Sequence, residues 1–156
     1  MMSNWRWMQW GTSVLAAGLV SSIPAASVAQ TSTSEFLQQM ETAFSTLDPN
    51  QLILLYGENA SLTRINNGLS YSGSENILDL FTTDLNVFQQ LTVRYGEAQT
   101  IPLNESQVLL YAPLSATGTS DSGSIIQFDG GSTFVLEALG DEWLIVREHS
   151  NMPFPL

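Results

Sequence analysis

The sequence predicts an α+β domain in which three helices precede a run of mainly antiparallel strands. Three observations carry that expectation. Apolar residues recur at helical spacing from Phe36 to Leu47 and again from Ile77 to Leu85. Beyond Asn86 the chain becomes a series of Val-, Leu-, Ile-, Thr- and Tyr-rich runs separated by short polar or glycine-bearing breaks. The 127 residues that follow residue 29 of the 156 are enough for one core and too few for two. Helices gathered before strands pack on one face of a curved sheet. A strongly curved sheet covered on its concave side encloses a cone, either filled or hollow.

Residues 1–29 read as an export signal. Arg6 supplies the basic start, Trp7 to Val20 is uncharged, and Ala25-Ala26-Ser27-Val28-Ala29 places small residues before a cleavage point after Ala29. The apolar core from Gly11 to Val20 is far short of the roughly 20 residues that cross a bilayer. The expected product is therefore secreted or periplasmic, in a bacterial envelope, with no membrane attachment after cleavage. The absence of cysteine removes disulfides and lipid attachment together, so stability has to come from packing.

Residues 30–34 read as a flexible leader that ends in a helix cap at Thr33 or Ser34. The first helix buries Phe36, Leu37, Met40, Ala43, Phe44 and Leu47. Asp48 caps a second, opened by Pro49, whose buried side is Leu52, Ile53, Leu55 and Tyr56 up to Gly57. Ala60 to Ile65 alternates as a strand, Asn66-Asn67-Gly68 is a turn, and Leu69-Ser70-Tyr71 returns. Gly73-Ser74 opens the third helix, with Ile77, Leu78, Leu80, Phe81 and Leu85 inward. The strands then expected are Phe88 to Ile101, Gln107 to Thr117, Ser132 to Leu139 and Glu142 to Ser150, with 118–131 read as a Gly/Ser/Asp loop and 152–156 as a tail.

Fifteen acids face only Arg64, Arg94 and Arg147 after residue 29, with no lysine, which leaves a net charge near −12. That charge repels phosphate backbones, so nucleic acid is excluded as a partner. One histidine and no cysteine exclude the usual zinc sets, and the glycine-rich stretch lacks the alternating acids of a calcium loop. No metal and no cofactor is expected.

Three stretches resemble the SnoaL-like branch of the nuclear transport factor two-like superfamily. They are Asp48 to Ala60, Tyr71-Ser72-Gly73-Ser74-Glu75-Asn76-Ile77, and Trp143-Leu144-Ile145-Val146-Arg147-Glu148-His149-Ser150-Asn151. The resemblance covers residues 35–151. It implies a cone-shaped α+β barrel, commonly a homodimer paired through the outer face of the sheet. The cavity in different members isomerises steroids, cyclises polyketides, dehydrates or only binds. Fold alone does not choose among these.

The isomerase chemistry needs a carboxylate base and facing donors. Against that pattern Arg64 stands where the base belongs and Met40 where a tyrosine belongs. A dehydratase- or cyclase-like enzyme would use His149 as acid/base with a nearby carboxylate. Alternation places Trp143, Ile145, Arg147 and His149 on one face of the last strand, and Leu144, Val146 and Glu148 on the other. It also sets Ala60, Leu62 and Arg64 toward the cone, where a guanidinium needs an anion, either an internal acid such as Glu97 or Glu137 or a ligand carboxylate. The leading expectation is thus an exported small-molecule-binding domain with an anionic ligand near Arg64, Tyr71, Tyr111, Arg147 and His149. The alternatives are the His149 enzyme and a filled, purely dimeric interaction module plugged by Met40, Phe44, Phe81 and Trp143.

Overall fold

A computed structural model describes residues 32–152. The export segment with its cleavage point, the start of the leader and the end of the tail lie outside the described residues. The elements run α1 (Thr33–Thr46), α2 (Pro49–Ile53), β1 (Tyr56–Arg64), β2 (Leu69–Ser72), α3 (Ser74–Leu85), β3 (Phe88–Tyr95), β4 (Gln99–Pro102), β5 (Gln107–Ser120), β6 (Ile125–Leu139) and β7 (Glu142–Ser150). The helices pack on a curved mixed sheet ordered β2-β1-β7-β6-β5-β3, in which only β1 and β7 run parallel. This is the α+β cone expected, with one qualification: β2 and β3 are free edges, so the barrel is open.

α1 and α2 start where a side chain satisfies their first amides, whereas α3 opens after Gly73 with no side-chain cap, from Ser74 or any other residue. Ser32 caps α1 and Glu35 reaches back to the Ser32 backbone, a reciprocal capping box that begins the helix ahead of the Thr33 or Ser34 cap expected. Asp48 accepts from the Asn50 amide at 2.9 Å, and Pro49 occupies the first turn of α2. That helix stops at Ile53, earlier than its apolar spacing suggests, because Tyr56 is drawn into β1 beside Ile145.

The core lies between α1, α3 and the concave face of the sheet. Phe36 meets Phe134 edge-on at 5.8 Å, Phe44 meets Phe81 at 6.1 Å, and Tyr56 lies tilted against Phe81 at 5.7 Å. Met40, Phe44, Phe81 and Trp143 are all buried, and the deep part of the cone is filled by side chains. Each fully buried side chain of this size contributes about 1.5–3 kcal/mol from removed water contact. Met152 is buried too, so packing continues one residue past the boundary expected at 151.

Two expectations about the strands are corrected. The run Phe88 to Ile101 breaks at Gly96-Glu97-Ala98, so β3 and β4 divide one edge of β5 between them. Residues 118–131 are mostly strand: β5 and β6 form a long hairpin whose turn is only Asp121–Ser124. Two of its glycines are there for close approach, while Gly123 serves the turn with φ of 79°. A Cβ at Gly118 would lie 2.5 Å from the Phe88 ring, and one at Gly130 would lie 2.0 Å from the Asn151 carbonyl oxygen.

Candidate functional site

β1 has the alternation expected, with Ala60, Leu62 and Arg64 pointing inward. β7 does not. Val135 pairs with Arg147 while Leu136 pairs with Ile145, so the register between β6 and β7 slips and Val146 is the extra residue. The slip reverses the face of everything after it. Trp143 and Ile145 are buried as expected, but Glu148 and Ser150 then turn inward, and Arg147 and His149 face out.

The sequence-selected residues therefore divide into two groups. Arg64 and Tyr71 lie on the inner side, where Tyr71 pairs with Leu62 next to Arg64. Tyr111, Arg147 and His149 lie on the convex face. His149 is paired with Thr133 on one side and Thr63 on the other, and Tyr111 is 42 % exposed. Arg94 leaves the interior as well, 67 % exposed and bound to Glu41 at 3.0 Å. The three arginines do not converge, and the His149 acid/base pair is not assembled in the cone.

Arg64 is 3 % exposed and ion-paired with Asp84 of α3, whose Oδ1 accepts from Arg64 Nη1 at 3.2 Å. The internal acid is thus Asp84, while Glu97 and Glu137 both remain exposed. Burial draws the Arg64 pKa down, opposed by Tyr71, Glu148 and Tyr56 around it. With Asp84 as its counter-charge, Arg64 no longer requires a ligand anion. Sequence reasoning passed over Asp84, although the signal was present: position 84 falls on the same stripe as Ile77, Leu80 and Phe81, and a carboxylate there needs a cation.

Behind this pair lies a polar cluster that strand alternation had turned outward. Glu148 is 3 % exposed, accepts from Ser132 Oγ at 3.0 Å and takes a further hydrogen bond from the Tyr56 hydroxyl. Ser132 also lies 3.1 Å from Ser150 Oγ. Burial raises the Glu148 pKa, against the pull of the Tyr56, Ser132 and Ser150 hydrogen bonds and of Arg64. Tyr56 is pushed well above its ordinary value by burial and then by Glu148; Tyr95 is pushed up by burial, Glu148 and Glu41. These groups are weak acids held in a packed interior.

The open space lies beside the cone. Between the β1–β2 hairpin and α3 is a cavity of about 590 Å³, with the Arg64–Asp84 pair on its wall and Tyr71, Asn76, Asp79 and Leu80 among its lining. A second groove of about 650 Å³ runs along α1 and α2, lined by Gln38, Gln39, Thr42 and the exposed Leu54. Only the first holds residues singled out from sequence. Among the described residues no cluster of His, Cys, Asp and Glu could hold a metal ion, and no helix is long and apolar enough to cross a membrane.

The sequence matches no protein-family model and no curated protein. Solved structures are similar in fold. An NTF2-like superfamily protein from Salmonella enterica has a TM-score of 0.68 at 16 % identity, covering 78 % of this chain and 88 % of its own. A hexachlorocyclohexane dehydrochlorinase has a TM-score of 0.66 at 14 % identity, covering 76 % and 80 %. A protein with a cystatin-like fold from Caulobacter vibrioides has a TM-score of 0.64 at 14 % identity, covering 79 % and 88 %. At these identities the likeness shows the fold alone: the chain has the NTF2-like fold.

Proposed function

We propose that this chain is an exported, non-enzymatic small-molecule-binding domain whose ligand occupies the cavity between the β1–β2 hairpin and α3. The observation that carries the reading is the cavity itself, which brings together two residues singled out from sequence, Arg64 and Tyr71. A buried guanidinium, held by Asp84, forms part of the wall of a 590 Å³ cavity beside a half-buried Tyr71. Most of its lining is polar, with Tyr71 and Leu80 the apolar surfaces, so a ligand there would be held by polar groups around a small apolar patch. Catalysis is the weaker reading, because the only histidine lies on the convex face and the buried acid Glu148 is enclosed by Tyr56, Ser132 and core residues. Export rests on the three-part pattern of residues 1–29. Pairing of two copies across the convex face rests on Ile101 and Tyr111, large side chains left exposed there.

An NMR titration of isotope-labelled protein with a mixture of small aromatic fragments tests this. Amide shifts should gather at Ser70 to Asp84, and the sample should scatter light with about twice the mass of one chain. Shifts gathered along Gln38 to Leu54, or none, would overturn the site.

A further inference from the structure

The cavity beside α3 has a charge balance that the count of arginines alone does not give. Its lining holds one cation, Arg64, and two carboxylates, Asp79 and Asp84. Arg64 and Asp84 face one another as a buried pair, so each neutralises the other. Asp79 remains as the uncompensated charge, exposed on the α3 side of the cavity. The polar group next to it points to the same chemistry: Asn76 donates through Nδ2 to the Ser72 carbonyl at 2.6 Å, which leaves its side-chain oxygen as an acceptor. Tyr71 and Leu80 supply apolar wall. The entrance therefore offers acceptors, one net negative charge and an aromatic ring, within a chain whose overall charge of −11 concentrates cations and repels anions.

Resting on the reading of this cavity as the ligand site, we infer that its ligand is a small organic cation: an ammonium group set on the Asp79 carboxylate, with an apolar body against Tyr71 and Leu80. Carboxylate and ring together suit such a group, since an ammonium pairs with the first and is attracted to the face of the second. A carboxylate ligand would instead meet a guanidinium already neutralised by Asp84, with the Asp79 carboxylate repelling it.

A matched pair of probes separates the charge from the site. Phenethylammonium and 3-phenylpropionate have similar bodies and opposite charge, and each is titrated into the labelled protein while the amides of Tyr71, Asp79 and Leu80 are followed. Phenethylammonium should shift all three and weaken as salt is raised. Asp79→Asn should reduce its affinity by about tenfold, with the melting temperature little changed because Asp79 is exposed. Saturation of the same amides by 3-phenylpropionate alone would overturn the cation and leave the site standing. Equal binding of both probes, or indifference to Asp79→Asn, would also overturn the cation. No shift at these amides from either probe would remove the site itself.

Discussion

Asp84 and Glu148 are two buried carboxylates near Arg64, and the protein treats them in opposite ways. Asp84, on α3 at the wall of the open cavity, is given a guanidinium as direct partner. Glu148, on β7 in the packed cone, is given hydroxyls, those of Tyr56 and Ser132, and its pKa rises through burial. Both are equally buried, so what differs is the partner: a direct guanidinium keeps one acid charged, whereas hydroxyls around the other leave burial to disfavour its charge. The difference separates a buried charge that is paired from a buried acid whose charge is disfavoured.

The largest expected effect comes from breaking the pair. Truncating one member of a buried ion pair costs about 3–5 kcal/mol, because the other is left charged and unpaired. Arg64→Leu should therefore lower the melting temperature by roughly 10–20 °C for a domain of this size. The double variant Arg64→Leu/Asp84→Leu should recover most of that loss. A melting temperature unchanged by Arg64→Leu alone would mean that Asp84 is satisfied some other way, and the contrast between the two carboxylates would fail.

The two sites were not equally legible in the sequence. Helix periodicity tolerates no slip over twelve residues, so the stripe Ile77, Leu80, Phe81 leads to Asp84 without ambiguity, and Arg64 follows from the parity of β1. Glu148 was hidden because strand parity is a period of two, and one extra residue inverts it. Val146 carries no mark of a bulge; it is an ordinary strand residue, and only the pairing of β7 with β6 shows the slip. The same inversion moved Arg147 and His149 from the expected cavity to the convex face. The β5–β6 hairpin was obscured differently: Gly118, Gly130 and Gly131 suggested a loop, while the reason for at least the first two is crowding from Phe88 and Asn151, residues distant in sequence.

Glu148 makes the next test, of intermediate size. Its folded pKa lies above the unfolded value, so the native state holds the proton more tightly. The sign follows from linkage: its contribution is complete below the ordinary carboxylate range and is lost as pH rises from the unfolded pKa toward the raised folded one. Glu148→Gln keeps a polar side chain of the same shape and removes the titration. Melting curves of the two proteins at pH 4 and pH 8 should show the variant gaining on the parent as pH rises. A difference independent of pH would mean that Glu148 has the same charge in the folded and unfolded chains, placing it beside Asp84 instead of opposite it.

The smallest effect belongs to a third carboxylate, Glu41, and it calibrates the other two. Glu41 binds Arg94 at 3.0 Å and accepts from the Tyr95 backbone amide at 2.7 Å, joining α1 to β3 at the rim of the sheet. Arg94 is 67 % exposed, so water and salt screen the attraction, and an exposed pair of this kind contributes about 0.2–1 kcal/mol. Arg94→Ala leaves Glu41 its backbone partner and its access to solvent, so no charge is stranded. The expected loss is at most a few degrees and should shrink further in 0.5 M salt, while the loss from Arg64→Leu persists because that pair is shielded from ions. Were Arg94→Ala to cost as much as Arg64→Leu, burial would not be what distinguishes the carboxylates, and the cost of the Arg64 substitution would have to be sought in packing.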